Sequence, residues 1–287
     1  MVWFRKERPE GPRAVGRGEV VGLHVVCPAC GGRSERPRAA ERGWRCAACG
    51  ALLPMPARAR LDALLDPGAE PLFGRLISSD PLRFAGRTPY RDRLRAARAT
   101  CGLGDAILAM RGAIDGVEVV AAAFEPGFLD GTFGAVVGAT IAGCADLAKA
   151  ERRPFVLVAQ SAGPRLEEGA VALAHAARAG AALAALAASK TPFLAVAADP
   201  LRGPAAALAL QADVVAAEPG ARIALAGAAD LEPRATKALA GACAAEELIA
   251  RGLVDLVAPR AELRATLAQL LRLLWSSPSA RPAPCGA

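Results

Sequence analysis

From about residue 104 onward, apolar residues gather into short unbroken runs. Runs at 106–111, 117–124, 155–159, 193–198, 214–217 and 223–226 have strand length and little internal polarity, as expected of strands buried on both faces. Longer stretches with helical spacing lie at 132–150, 165–189, 205–211, 231–251 and about 260–274. Strands alternating with helices predict an α/β fold. Upstream, residues 53–100 read as a linker with capping helices. One helix is predicted at 57–65, stopped by Asp66-Pro67-Gly68, and a charged one at 91–100. Asp80-Pro81 and Thr88-Pro89-Tyr90 mark turns between them. Hairpin-like runs at 20–26 and 43–45 lie near the N-terminus. The chain thus divides into a tail (1–22), a small ribbon (23–52), the linker (53–100), a large domain (101–275) and a Pro- and Ser-rich tail (276–287) predicted to be disordered.

Composition supports a sizeable core: of 287 residues, 53% are hydrophobic and 22% charged. The longest apolar stretch, 171–188, is interrupted by His175, Arg178 and Gly180, so no membrane span is expected. The first residues, Met1-Val-Trp-Phe-Arg-Lys-Glu-Arg, lack the apolar core of a secretory signal, which leaves a cytoplasmic protein as the expectation. The net charge of +7 is uneven: residues 1–60 hold 12 Lys and Arg against 5 Asp and Glu, which is the whole excess. A basic module of this kind suits nucleic acid, an acidic partner or simple solvation.

Four of the eight cysteines form Cys27-Pro-Ala-Cys30 and Cys46-Ala-Ala-Cys49, a C-x2-C-x15-C-x2-C spacing. Each C-x2-C knuckle turns two sulfurs to one side, and Gly31 and Gly50 relieve crowding after the turn. Two facing knuckles complete a tetrahedron, so a structural Zn2+ ion is predicted on Cys27, Cys30, Cys46 and Cys49. Disulfides suit a reducing compartment poorly, and a redox Cys pair belongs at a helix start in a βαβ setting. Cys101, Cys144, Cys243 and Cys285 are isolated, and Cys144 reads as core. The only histidines, His24 and His175, supply no catalytic partner for them.

Two strand-to-helix junctions are rich in small residues: Ala159-Gln-Ser-Ala-Gly163-Pro-Arg165 and Ala198-Asp-Pro-Leu-Arg-Gly203-Pro204. Small residues at such a junction let a ligand oxygen reach backbone N–H groups, which suits an oxyanion hole or a phosphate site. An ordinary tight βα turn has the same composition. Neither is a Walker A or G-x-G-x-x-G sequence.

The order of motifs over residues 20–275 resembles the β subunit of bacterial acetyl-CoA carboxylase carboxyltransferase. The four-Cys ribbon is followed by Arg58-Ala-Arg60-Leu with Asp66-Pro-Gly68, then Asp80-Pro-Leu-Arg-Phe84 and Pro89-Tyr-Arg-Asp-Arg-Leu94. Ile114-Asp-Gly116-Val and Gly131-Thr-Phe-Gly134-Ala-Val-Val-Gly138 come next, and then Arg165-Leu-Glu-Glu-Gly169, Asp199-Pro200, Ala216-Ala-Glu218-Pro219 and Gly252-Leu-Val-Asp255. The resemblance implies a crotonase-like fold of repeated ββα units stacking two sheets. It implies an α2β2 assembly with a carboxyltransferase α subunit, and transfer of the carboxyl group from carboxybiotin, on biotin carboxyl carrier protein, to acetyl-CoA. It implies backbone N–H groups of Ala162 and Gly163 as an oxyanion hole, and Arg165, Gly131, Gly134 and Gly203 as substrate-binding residues.

The chain departs from that family's pattern at three places. Ala162 stands where the family has glycine, Pro204 follows Gly203 where it has a second glycine, and Ala226-Gly-Ala228-Ala-Asp230 replaces a Gly-Pro-Arg continuation. The alternative reading is a catalytically degenerate paralogue that acts as a zinc-dependent scaffold. A nucleic-acid-binding subunit, with Arg33, Arg36, Arg38, Arg42 and Arg45 as its patch, belongs to the same alternative. A hydratase-type enzyme needs paired carboxylates; the adjacent Glu167 and Glu168 face different ways on a helix and do not supply them.

Overall fold

In the computed structural model, residues 20–21, 24–225 and 243–275 are described. The remainder of both expected tails, residues 226–230 with Ala228, and the first part of the helix expected at 231–251 lie outside them. The chain divides into two compact units, Met1–Pro54 and Met55–Ala287.

In the smaller unit β1 (Val20–Val21), β2 (His24–Val26) and β3 (Arg33–Glu35) form an antiparallel sheet in that order. A short helix, α1 (Arg36–Glu41), follows at once. It was not foreseen: six residues with one apolar face position, Ala39, give periodicity little to register. The hairpin run expected at 43–45 is reduced to a single bridge, Arg45 to Leu52. Trp44 there turns inward instead, buried with Val25, Ala39 and Leu53.

The larger unit is built on an eight-stranded sheet. Helix α2 (Ala57–Leu64) precedes β4 (Glu70–Leu72), and α3 (Tyr90–Cys101) precedes the hairpin of β5 (Ile107–Ile114) and β6 (Val117–Phe124). There follow α4 (Ala135–Glu151), β7 (Phe155–Ser161), α5 (Ala170–Ala188), β8 (Phe193–Arg202) and α6 (Pro204–Ala209). Then come β9 (Val214–Ala217), β10 (Ile223–Ala224), α7 (Ala245–Ala250), β11 (Leu256–Val257) and α8 (Leu263–Leu274). The order across the sheet is β11-β9-β8-β7-β6-β5-β4, and β10 pairs with the end of β8 off this path. Strands β6, β7, β8, β9 and β11 run parallel, whereas β4 and β5 are antiparallel additions. Where two stacked sheets were expected, the described residues show one, with β8 shared between β9 along its first half and β10 at its end.

Every residue of β7 is buried, as its unbroken apolar run requires. Alternate residues feed two cores. Phe155, Leu157 and Ala159 join the core beneath α3–α7, and Val156 and Val158 join the core beneath α2 and α8. The helix expected at 165–189 is broken by Gly169, at φ 50°, so only α5 is α-helical. By length and composition α5 is the one described helix that suffices to cross a membrane. It lies against α4, where Gly138 passes so close that an added Cβ would stand 2.7 Å from the His175 carbonyl oxygen.

Side-chain bonds tie the covering elements down. Asp115 and Gly116 both have positive φ (51° and 80°), the two-residue turn that suits a tight hairpin between β5 and β6. The Asp66 carboxylate accepts their two N–H groups at 3.1 and 2.9 Å, so the motif ending α2 holds the hairpin tip. Arg60 on α2 and Arg260, just before α8, both grip the buried carboxylate of Glu218 after β9. Arg60 Nη2 lies 3.1 Å from Oε2, and Arg260 Nε and Nη2 lie 2.7 Å from Oε1 and Oε2. Burial alone would raise the Glu218 pKa; the two guanidinium groups outweigh it and hold the carboxyl down to about 2.

Because the folded pKa is depressed, this stabilisation is complete above the unfolded value near 4.5 and is lost as pH falls toward 2. It amounts to ~3 kcal/mol. Chemical denaturation between pH 6 and pH 2.5 is expected to show that loss in the native chain. Glu218→Gln should be less stable at pH 6 by about 3–5 kcal/mol, the usual cost of breaking a buried pair, and show a flatter acid limb. An unchanged acid limb would reject the assignment.

Candidate active site and metal centre

The two small-residue junctions meet at the C-terminal ends of β7 and β8. An ideal Cβ on Gly203 would lie 3.0 Å from Pro164 Cδ and 3.5 Å from Gly163 Cα, so the turns touch. Gly163 has φ 128°, a conformation open to glycine, and no described residue lies within 4 Å of where its Cβ would project. Ala162 is not among the residues with positive φ, so its methyl group brings no left-handed strain. Pro204 sits in the first turn of α6, where a missing N–H costs no helical bond.

The N–H groups are less free than expected. Ala162 N–H donates to the Asp130 carbonyl at 3.1 Å, and Gly203 N–H to the Ala224 carbonyl at 3.0 Å. Gly163 N–H donates to the Ser161 hydroxyl at 3.2 Å, its one partner among the described residues. Of the two expected donors, Ala162 N–H is thus engaged by backbone and Gly163 N–H by a side-chain hydroxyl.

Arg165 is also placed differently. Its side chain is fully buried and forms an ion pair with fully buried Asp105, Nη2 to Oδ1 at 2.6 Å. Nη1 donates to Asp105 Oδ2 at 2.8 Å, and Nη2 to the Thr132 carbonyl at 2.7 Å. Its guanidinium carbon lies 5.5 Å from the centre of the Phe128 ring. Burial works against its charge, but Asp105 outweighs that and keeps it cationic. Glu168 adjoins this ion. Its Oε1 accepts the Tyr90 hydroxyl at 2.5 Å and its Oε2 accepts Ala135 N–H at 2.6 Å, a carboxylate on the first turn of α4. Burial pushes the Tyr90 hydroxyl well above the ordinary tyrosine range, with Arg165 working against it.

Gly134 and Gly131 serve the same crowding. A Cβ on Gly134 would stand 2.7 Å from Arg165 Nη1, and one on Gly131, at φ 65°, 2.6 Å from the Gln160 carbonyl oxygen. The motifs at 89–94, 131–134 and 165–169 thus meet in one buried cluster behind the Gly163 turn, and the side chain of Arg165, expected to bind substrate, points into it. Asp105 was missed; its signal is a carboxylate at the mouth of an apolar strand, which needs a cation once buried. Glu167 and Glu168 diverge as expected, Glu167 pairing with Arg93.

In the ribbon, the sulfurs of Cys27, Cys30, Cys46 and Cys49 lie within 4.8 Å of one another, with Cys27–Cys49 and Cys30–Cys46 each at 3.6 Å. A tetrahedron of Zn–S bonds near 2.3 Å has edges of about 3.8 Å, so the set fits a cation. The two knuckles repeat the same bonds: Gly31 N–H to the Cys27 carbonyl and Gly50 N–H to the Cys46 carbonyl, both 2.9 Å. N–H groups of Cys49 and Ala48 bring the Cys46 thiol down to about 6, whereas burial pushes Cys27 up to about 12. A cation would hold all four as thiolates. Of the expected basic patch, Arg33, Arg38, Arg42 and Arg45 are exposed.

A carboxyl transferase domain matches residues 83–247. The acetyl-coenzyme A carboxylase carboxyl transferase subunit beta of Thermus thermophilus is 37% identical over 273 residues, which cover 94% of both chains. The chain belongs to this carboxyl transferase family. The "subunits beta/alpha" protein of the same enzyme from Frankia alni is 42% identical over 250 residues, 86% of this chain and 41% of that one. The corresponding Parafrankia sp. protein is 38% identical over 265 residues, and 43% of its length is covered. The chain therefore spans about two fifths of these two relatives. Among solved structures, the Pseudomonas malonate decarboxylase hetero-tetramer with malonate is 26% identical at a TM-score of 0.60, over 80% of this chain and 92% of that one. A transcarboxylase 12S chain reaches a TM-score of 0.65 at 21% identity, over 83% of this chain and 44% of that one, and shares the fold. The crotonase-like α/β class expected of the family is the class observed.

The cluster behind the turn is expected to tolerate little. Asp105→Ala should destabilise the larger unit by about 3–5 kcal/mol by stranding the Arg165 charge. Tyr90→Phe should cost about 1–2 kcal/mol for one buried bond to a carboxylate. Equal melting of these variants and the native chain would show that Arg165 is not held by them.

Proposed function

We propose that the chain is the β subunit of an acetyl-CoA carboxylase carboxyltransferase. With a carboxyltransferase α subunit, in an α2β2 assembly, it would move the carboxyl group of carboxybiotin to acetyl-CoA and give malonyl-CoA. The observation that supports this is the Gly163 turn: a φ of 128°, space among the described residues where a Cβ would project, and an N–H whose one described partner is a side-chain hydroxyl. Carboxybiotin, carried on biotin carboxyl carrier protein, is a substrate here. Cleavage of its N–CO2 bond leaves a basic ureido nitrogen, which takes a proton from the acetyl methyl group. The methylene carbon then forms the new bond to CO2. Negative charge gathers on the thioester oxygen during that step, and in this reading the Gly163 N–H receives it. Its donor strength needs no titration, which suits a site that brings no catalytic His or Cys. The relatives that combine beta and alpha in one protein support an α partner.

The ion held by the ribbon is Zn2+ in this reading, because four thiolates in a closed tetrahedron suit zinc and leave no open position for catalysis. A cytoplasmic setting follows from the same chemistry, since free thiolate ligands persist in reducing compartments. Nucleic acid as a partner has only the exposed arginines in its favour.

Reconstitution with the α subunit and biotinylated carrier is expected to give malonyl-CoA formation that depends on carboxybiotin. Gly163→Val should lower kcat by about 100–1,000-fold, the usual cost of an oxyanion donor, while melting remains cooperative. A reconstituted complex without turnover would overturn the assignment. Elemental analysis should find one zinc per chain, lost in Cys46→Ala; an intact zinc content in that variant would reject the four-sulfur site.

A further inference from the structure

Between β7 and β8 the parallel register slips. Ala159 pairs with Ala197 but Ser161 pairs with Leu201, so the single residue Gln160 stands opposite Ala198, Asp199 and Pro200. A bulge of this size takes backbone groups of β8 out of the ladder. Gln160 replaces one lost bond with its side chain: Nε2 donates to the Asp199 carbonyl at 2.6 Å. Its own carbonyl is the atom against which Gly131 packs. The Asp199 side chain is held in turn by Arg222, Nε to Oδ1 and Nη2 to Oδ2, both 2.8 Å. Gln160 is 95% buried, being 5% exposed, and its Oε1 finds no protein partner among the described residues. An apolar residue of the same size would avoid leaving that acceptor unpaired. The position gains from the amide only through its donor.

We infer that Gln160 is a positioning residue for carboxyl transfer: its amide N–H pins the β8 bulge, and with it the Gly203 turn, against Gly163, three residues after itself. The inference rests on the reading of Gly163 above. It assigns Gln160 no contact with substrate, only control over where two touching turns stand. Displacements of about 1 Å at a distance from the reacting atoms are known to cost near 100-fold in rate.

The test compares native chain, Gln160→Met and Gln160→Glu, each assembled with the α subunit and assayed with carboxybiotin and acetyl-CoA. Gln160→Met keeps the volume and loses the donor; its kcat should fall by about 10–100-fold with the acetyl-CoA KM within about twofold. Gln160→Glu keeps the shape and donates only when protonated. Its introduced carboxyl, buried against the Asp199 carbonyl oxygen, titrates above the usual carboxylate range. Its kcat should therefore recover as pH is lowered, along a limb the native enzyme lacks. A volume effect alone would give no such limb. Native kcat in both variants overturns the inference while leaving the function intact, and if Gln160→Glu does not fold, Gln160→Met decides alone. If the native complex has no turnover, hydrogen exchange on the full chain decides: Gln160→Met should speed exchange at residues 199–203 by at least about tenfold, with residues 107–124 unchanged. Uniform or absent acceleration overturns it.

Discussion

A guanidinium cannot leave water without partners for its charge and its five donors. Arg165 is 1% exposed, and satisfying it brings three distant segments and its own neighbour Glu168 to one place. Asp105 comes from the entry to β5, Thr132 from the approach to α4, and Glu168 from the approach to α5; Tyr90, the first residue of α3, closes over Glu168. Glu168 passes the constraint on by holding the first N–H of α4. The turn at 162–163 hangs between β7 and this ion, so its shape is inherited from charge pairing in a low dielectric rather than from turn propensity.

The opposite face of the sheet uses the reverse arrangement. There one carboxylate, Glu218, is shared by two arginines, one each from α2 and the approach to α8. Apolar packing fills both cores, but it is non-directional. The buried ion clusters add direction, fixing where each covering helix begins relative to the ends of the strands.

Much of this was legible in the sequence, for identifiable reasons. Strand β6 was read at its observed limits because a strand buried over most of its length leaves a run dominated by apolar residues, broken here only by the exposed Glu118, and β9 likewise. The four cysteines were legible because metal geometry demands a fixed spacing. Strand β4, Glu70-Pro-Leu72, was not: it is an exposed edge strand with no alternation to betray it. The break at Gly169 was hidden because Arg165-Leu-Glu-Glu168 before it and the alanine-rich run after it are both good helix formers. The site was harder still. Arg165 was identified as important by its motif, yet the direction of its side chain depends on Asp105, sixty residues upstream, and no local pattern carries that pairing. The hydrogen bond that engages Ala162 comes from the carbonyl of Asp130, a main-chain atom with no sequence signature at all.

The chain is unusually rich in alanine and arginine, and its glycines show where that enrichment stops. At Gly131, Gly134 and Gly138 a single methyl group would come within 2.6–2.7 Å of a carbonyl oxygen or the Arg165 guanidinium. Those sites are closed to even the smallest side chain, whereas Ala162, with ordinary backbone angles, admitted one. The framework can therefore be recoded in a reduced alphabet almost everywhere except at a few points of steric exclusion. Those points are a practical mask for redesign: a library confined to exposed alanines, with Gly131 and Gly134 held as glycine, would preserve the walls around the turn, while the fully buried alanines of the sheet stay fixed by the core they fill.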